Sequence, residues 1–354
     1  MKEIKRPYII GETAFHHEGE INFLLELIDE AGRVGLDAIK FHALFDVNDY
    51  FVSDHEGVPI IEKISLSKEQ MHVAIDHAKS KNLDVVLLCN DVSSLDWVLE
   101  NNIALKAVEI HATGLNDIFL LEKAATFNNT VILGIGGSTI DEIKFAVDYL
   151  NERGKKDVFL MHGFQNYPTS YSDIFLERIE KIGHLFDLPM GYADHTDPTD
   201  VNNEWISVLG LTKGAFVIEK HFTTKVGEKR IDSQAAVSLK QILKVKELAG
   251  LLHQVLGGDK PLDYSLAELK YGNTGPMKKA PVARVSIKSG EKITRDNIAF
   301  KRTKESANIL QKDLIKLLNL SVSKNIDPDE IIDYSKVNFE FNLADTSQFK
   351  NTGK

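Results

Sequence analysis

Eight short apolar runs, each followed by an amphipathic stretch, set the strongest limit on what this chain can fold into. They cover residues 8–11, 38–42, 85–89, 107–111, 131–133, 158–162, 190–193 and 216–219. They are mostly too short for helices and too continuously apolar for a sheet with one wet face. That is how strands buried on both faces of a parallel sheet read. Helical patterns lie between them. Residues 21–34 keep Leu24, Leu25, Ile28 and Ala31 on one face. Ser67-Lys68-Glu69-Gln70 forms a capping box that opens a helix running to about Lys81. Residues 138–150 and 173–185 show similar patterns. Eight β-α units in roughly the first 250 residues predict an α/β protein built as a (β/α)8 TIM barrel. A doubly wound open sheet is the alternative. It would more often carry a glycine-rich phosphate turn after its first strand, and here that strand runs into Gly-Glu-Thr-Ala-Phe-His-His.

A long helical pattern over 237–256 closes the barrel, giving a first domain over 1–256. Gly257-Gly258-Asp259-Lys260-Pro261 breaks it, and 257–277 reads as a linker. From Lys278 the texture changes. Apolar stretches over 282–287 and 298–302, with the turn Lys288-Ser289-Gly290-Glu291, predict a small β-rich domain over 278–341. Residues 342–354 read as a frayed tail. A net charge of −10 argues against nucleic acid as the main partner. There is no apolar run long enough to span a bilayer, and Met-Lys-Glu-Ile-Lys-Arg-Pro carries charge where a signal peptide would be apolar. The one cysteine, Cys89, sits in Val-Val-Leu-Leu-Cys-Asn as a buried thiol, so an intrachain disulfide is excluded. These features predict a cytoplasmic protein.

In a barrel of this kind the reacting groups project from the C-terminal ends of the strands. The polar residues there are Glu12, Lys40, His42, Glu109, His111, His162, Asp194, His195, Glu219 and His221. With His16 and His17 of the first loop, seven of the 12 histidines fall on this rim, more than scatter would place there. Each taken alone reads most simply as a hydrogen-bonded histidine in a polar barrel mouth. His195 and His221 stand out because they sit just past successive strands and can converge. Imidazole is a frequent ligand for divalent metals. A two-histidine site leaves positions open for water and a substrate oxygen. Zn²⁺ tolerates that with a third protein ligand, whereas Mn²⁺ takes an oxygen-rich shell. Lys40, in Ile-Lys-Phe-His, points to the same side as His42 and needs an anion, either a carboxylate such as Glu109 or a substrate group.

At these segments the chain resembles the sialic acid synthase family, the N-acetylneuraminate synthases and their legionaminic and pseudaminic acid relatives. Ile-Ile-Gly-Glu-Thr-Ala-Phe-His-His-Glu-Gly is similar to the family's A-E-I-G-x-N-H-x-G, and Ile-Lys-Phe-His to K-F-Q. Met-His-Gly-Phe-Gln-Asn-Tyr-Pro-Thr is similar to H-C-x-x-x-Y-P-T. Gly-Tyr-Ala-Asp-His-Thr matches G-x-S-D-H-T, and Val-Ile-Glu-Lys-His-Phe-Thr matches V-I-E-K-H-F-T. The C-terminal part, with Ile287-Lys288-Ser289-Gly290-Glu291 and Asp296-Asn297-Ile298, is similar to the antifreeze-like (SAF) domain of these synthases. The resemblance implies condensation of phosphoenolpyruvate with an N-acylated hexose such as N-acetylmannosamine, giving a nine-carbon 2-keto acid and phosphate. It implies Mn²⁺ or Mg²⁺ on His195 and His221, polarising the sugar's aldehyde. Glu12 falls on a residue that contacts sugar or metal-bound water, Lys40 on a phosphoenolpyruvate lysine, Tyr167 on a substrate-site tyrosine and Asp232 on a sugar-binding aspartate. Asp194, Glu219 and Lys220 come with the same motifs as substrate-side residues. A homodimer is implied too, in which the SAF domain reaches the partner's barrel and offers a cation. In this chain that cation aligns with Lys278 or Lys279, and Arg284 could compensate.

The chain departs from the family at a coherent set of positions. The K-I-x-S-x-E strand becomes Glu109-Ile110-His111-Ala112-Thr113-Gly114, and S-T-G-M becomes Gly134-Ile135-Gly136-Gly137. The serine of G-x-S-D-H-T is Ala193, an asparagine aligns with Gln165, and the glutamine of K-F-Q is His42. Most of these positions cradle phosphoenolpyruvate. Two like charges at 4 Å repel by about 4 kcal/mol at an effective dielectric near 20. Each lost hydrogen bond to an anion forfeits about 1.5–3 kcal/mol. Three readings follow. One is a divergent synthase that still joins a three-carbon enol donor to an amino-sugar aldehyde. The second is other carbonyl chemistry without phosphoenolpyruvate, by aldol cleavage, isomerisation or epimerisation, with Glu109 as general base and His111 or His42 as acid or extra metal ligand. The third is a non-catalytic binding homologue, which gives no reason for a histidine-rich rim. The first reading is the preferred one.

Overall fold

The computed structural model describes residues 6–339 apart from Gln165. The chain divides into two compact units, Met1–Pro261 and Leu262–Lys354.

The first unit is a closed barrel of eight parallel strands: β1 Tyr8–Glu12, β2 Ala38–Ala43, β3 Asp84–Cys89, β4 Ala107–Ile110, β5 Thr130–Gly134, β6 Val158–His162, β7 Met190–Asp194 and β8 Ala215–Thr223. Each pairs with the next, and β8 returns to β1, with Glu12 opposite His221. All eight apolar runs became strands. Alternation sends Tyr8, Ile10, Ala38, Val86, Ala107, Ile132, Phe159, Met161, Ala193 and Val217 into the lumen, where they form one core. The opposite parity, including Ile9, Ile39, Leu87, Val108, Leu160 and Ile218, packs against the helices. Polar residues with lumen parity near the C-terminal strand ends therefore meet above a dry floor. A two-residue strand, β9 Val237–Ser238, adds to β8 beyond the barrel.

The helix Ile21–Arg33 buries Phe23, Leu24, Leu27, Ile28 and Ala31 against the barrel, each large side chain contributing about 1.5–3 kcal/mol. The Ser67/Gln70 capping box is present: Gln70 N–H donates to Ser67 Oγ at 3.2 Å, and Ser67 N–H donates to Gln70 Oε1 at 2.9 Å. The helix expected over 173–185 is instead two helices, Tyr171–Ile174 and Glu177–Phe186, because Phe175 between them takes a left-handed φ of 47°. The helix Val58–Ile64, with Pro59 in its first turn, went unread in the sequence. Among the described residues no helix is long and apolar enough to cross a membrane.

The second unit pairs β10 Ala280–Ala283 antiparallel with β11 Ile298–Lys301. Isolated bridges tie Val282 to Ile331, Ile287 to Ile326, Lys292 to Ser321 and Val322 to Val337. Its core is Ala283, Ile287, Ile293, Ile298, Ile309, Leu314, Leu317, Val322, Ile326, Ile332 and Val337. A helix, Leu266–Tyr271, occupies part of the stretch read as a linker. Its capping box, Ser265 with Glu268, was a signal present in the sequence. The tail 342–354 lies outside the described residues.

Candidate active site

One pocket opens at the C-terminal mouth of the barrel, with about 440 Å³ of unfilled space. Glu12, Lys40, His42, Glu109, His111, Tyr167, His195, Glu219 and His221 all line it, together with Leu88, Ala112, Gly134, Gly136, Met161, Gly163 and Ala193. Nine residues singled out in the sequence thus share one cavity. Glu109 and His111 face the same space as His195.

Its centre is a single ammonium held by three carboxylates. Lys40 Nζ lies 2.7 Å from Glu219 Oε1, 3.0 Å from Glu109 Oε2 and 2.6 Å from Glu12 Oε2, all four side chains being buried. The first two contacts are hydrogen bonds; the Glu12 contact is an ion pair without hydrogen-bond angles. Glu12 Oε1 accepts from Ala14 N–H at 2.7 Å and lies 3.3 Å from His42 Nε2. Burial works against the Lys40 charge, but Glu109 and Glu219 outweigh it and its pKa is raised. Burial, opposed by Lys40 and reinforced by the Glu219 charge, pushes the Glu109 carboxyl up to about 7. Both shifts hold together: three carboxylates around one ammonium are costly when all are ionised, which favours the protonated form of Glu109.

Beside this cluster stand His195 and His221, with ring centroids 5.2 Å apart. The Tyr167 ring meets both edge-on, at 5.2 and 6.0 Å. Burial lowers the His195 pKa to about 3 and places that of His221 well below its ordinary value, so both rings are neutral and keep a lone pair. Burial, then the Asp232 and Glu219 charges, raises the Tyr167 hydroxyl, which stays protonated. His195 Nδ1, Glu12 Oε2 and Glu219 Oε2 are buried with no hydrogen-bond partner, three of five such side-chain atoms among the described residues. Unpartnered polar atoms concentrated in one pocket mark a place prepared for a ligand. Among the described residues no group of three or more His, Cys, Asp or Glu is placed to hold a metal. A metal here would have two protein ligands and take the rest of its shell from water and substrate.

The floor between β5, β6 and β7 is backbone. A Cβ on Gly136 would stand 1.9 Å from the Gly163 oxygen, and one on Gly163 would stand 2.4 Å from the Ala193 oxygen. Only glycine fits either position.

Other sequence candidates lie elsewhere. Asp194 and Lys220, expected on the substrate side, have the parity that faces the helices and do not line the pocket. They form a buried ion pair at 2.5 Å. Burial alone would raise the Asp194 carboxyl, but Lys220, Ser207 and Thr196 hold it down at about 2. Ser207 Oγ donates to Asp194 Oδ2 and Thr196 Oγ1 to Oδ1, both at 2.6 Å. Ser207, on the helix Asn203–Leu209, carried no sequence signal for this role. Each member of the pair directly precedes one of the two histidines, so it fixes the β7 and β8 ends that present them. Asp232, at a left-handed φ of 62° in the loop after β8, does not line the pocket; burial raises its carboxyl to about 6. His16 bonds the Ile231 carbonyl and the Thr223 hydroxyl, His17 accepts from Gly19 N–H, and His162 bonds the Ile174 carbonyl. These three rim histidines tie loops and helices down. His221 lies within β8 rather than beyond it. Lys279 belongs to the second unit, where it is exposed and its carbonyl accepts from Gln311. Gln165 lies outside the described residues.

These shifts set the pH response of chelator-treated protein. His16, His17, His42, His162, His195 and His221 all have lowered values, with burial as the first cause. Below about pH 6.5 the unfolded chain binds protons that these folded residues refuse, so stability is lost as pH falls. Asp91, Glu109 and Asp232, with values raised first by burial, act in the opposite sense but are fewer. The thermal midpoint is expected to be several degrees lower at pH 5 than at pH 7.5. A midpoint that rises over this interval contradicts the burial of these rings.

Residues 27–260 match the model of the NeuB family. An uncharacterized protein of Methanocaldococcus jannaschii is 30% identical, covering 92% of this chain and 93% of that one. The N,N'-diacetyllegionaminic acid synthase of Campylobacter jejuni is 27% identical, covering 93% of this chain and 99% of the relative. Among solved structures, the N-acetylneuraminic acid (sialic acid) synthetase of Leptospira borgpetersenii, in complex with citrate, superposes with a TM-score of 0.68. It is 28% identical and covers 75% of this chain and 90% of its own.

Proposed function

This chain belongs to the NeuB family, and from that premise we propose that it joins the nucleophilic carbon of a three-carbon enol donor to the aldehyde of an N-acyl amino sugar. The product is a 2-keto acid of the nonulosonic type; in the family the donor is phosphoenolpyruvate. The observation that carries the reading is the convergence of His195, His221 and Tyr167 on the Lys40 carboxylate cluster in one pocket. Two neutral imidazoles with an unpartnered Nδ1 fit a divalent cation that keeps several oxygen positions for water and substrate, and the family resemblance favours Mn²⁺ or Mg²⁺ over Zn²⁺. When bound, such an ion would polarise the acceptor's carbonyl oxygen. The chain's own residues do the rest. Glu219 presents its unpartnered Oε2 to a sugar hydroxyl, Glu12 holds Lys40 in place, Lys40 supplies positive charge beside the reacting carbons, and the Tyr167 ring covers the histidines and excludes water.

The test is product analysis. Protein supplied with Mn²⁺, a three-carbon donor and a panel of N-acyl hexosamines is expected to form a 2-keto acid larger than either substrate, detected by mass spectrometry. No product with any acceptor counts against the reading. Metal content is a second check. His195→Ala or His221→Ala is expected to lose the ion that the parent retains when purified without chelator. Unchanged metal in both variants contradicts the assignment. We also propose a homodimer in which the second unit acts as an SAF-like domain, supported by the sequence resemblance and tested by light scattering.

A further inference from the structure

We propose that His42 and His111 form a subsite for an acylamino group of the acceptor sugar, with His42 Nδ1 taking the amide N–H and His111 Nε2–H meeting its carbonyl oxygen. This rests on the carbon–carbon bond-forming reading above and names the residues that select the acceptor. Both histidines line the pocket, and the reaction as described leaves them without a task. Their ring centroids lie 6.5 Å apart at an inclination of 56°, a gap that a group of amide size bridges. They form a pair separate from the first. His195 and His221 meet the Tyr167 ring, whereas His42 meets the Phe15 ring edge-on at 5.3 Å.

The hydrogen-bonding character of each ring follows from its neighbours. His111 Nδ1 accepts the backbone N–H of Thr113 at 3.3 Å, and the Thr113 hydroxyl lies 2.8 Å from the same nitrogen. A ring nitrogen that accepts a backbone N–H carries no proton, so the N–H of this ring is at Nε2. His42 is the reverse. Its Nε2 lies 3.3 Å from Glu12 Oε1, and a carboxylate favours the ring proton on the nitrogen beside it. Nδ1 then keeps its lone pair, and burial holds the ring neutral. The pair therefore offers one acceptor and one donor. The strand β3 lies between β2, which carries His42, and β4, which His111 follows. Its Leu88, in register with His42 and Glu109, lines the pocket and makes the ground between the rings apolar. A hydroxyl would leave Leu88 uncovered. An acylamino group matches all three features, with its N–H, its carbonyl oxygen and an apolar acyl carbon over Leu88. The amide is uncharged and adds no charge to the pocket, whatever ion His195 and His221 hold.

The experiment is calorimetry with Mn²⁺ present, with product formation followed beside it. Each N-acyl hexosamine of the panel is paired with the hexose that carries a hydroxyl on the same carbon. The N-acyl sugar is expected to bind the parent at least about tenfold more tightly, the worth of two neutral hydrogen bonds. His111→Phe and His42→Phe each keep a ring and lose its nitrogens, and in either the preference is expected to fall to about threefold or less. His42→Gln, whose amide oxygen accepts in place of Nδ1, is expected to restore part of it. If the ring variants do not fold, the ligand is altered instead. Methylation of the amide nitrogen removes the N–H and is expected to abolish the parent's preference. A preference kept by both ring variants or by the N-methylated sugar overturns the proposal, as does a parent that binds hexose and N-acyl hexosamine alike. Product formed alongside either result leaves the synthase reading standing. No sugar bound and no product from any acceptor overturns both.

Discussion

Methionine in place of Lys40 is expected to lower folding stability by about 3–5 kcal/mol, because it leaves Glu12, Glu109 and Glu219 buried without their cation. The turnover rate is expected to fall by about 10²–10³, the size of effect seen when one preorganised charge is removed from a water-poor site. The two losses have separable causes. Lys40→Met combined with Glu109→Gln removes a carboxylate along with the ammonium, so part of the stability returns while activity does not. Urea unfolding measures the first quantity and initial rates the second. A Lys40→Met protein as stable as its parent would contradict the ion cluster; one that keeps its turnover would remove Lys40 from the chemistry.

The second large effect lies behind the pocket wall. Lys220→Met is expected to cost about 3–5 kcal/mol by leaving Asp194 buried and unpaired. Asp194→Asn together with Lys220→Met replaces the pair by neutral groups and should cost clearly less than the two single changes added. The metal readout distinguishes support for the histidines from general stability. In the double variant, folded at low temperature, binding of Mn²⁺ weakens because the β7 and β8 ends are no longer pinned together. An additive cycle, with each change independent of the other, would refute the pairing.

The strands were legible because both faces of each are buried: a run such as Asp84–Cys89 has no polar face to confuse the pattern. Parity put Lys40 and His42 on one side of their strand, and both line the pocket together with the strand-end residues Glu109, Glu219 and His221. Where the sequence misled, the missing information was the partner. Asp194 and Lys220 looked like substrate groups because charged residues in a buried strand ordinarily mean function, and nothing local revealed that each satisfies the other. His16, His17 and His162 looked like rim chemistry, yet their bonds go to loop and helix groups: His16 to Ile231 far along the chain, His162 to Ile174 and His17 to its neighbour Gly19. The end of β8 was misjudged for the same reason. Glu219 and Lys220 interrupt its apolar run, but each is neutralised by a buried partner, and the strand continues to Thr223. The break at Phe175 carries neither glycine nor proline to announce it.

The new carbon–carbon bond can be observed directly. Phosphoenolpyruvate labelled with ¹³C at the nucleophilic carbon is incubated with metal-loaded protein and N-acyl hexosamines labelled at C1. The metal is then stripped and the mixture examined by ¹³C NMR. A new one-bond coupling between the two labels, absent when His195→Ala protein is used, is the predicted result. Labels that remain uncoupled with every acceptor, in protein shown to be folded and to hold its metal, would contradict it.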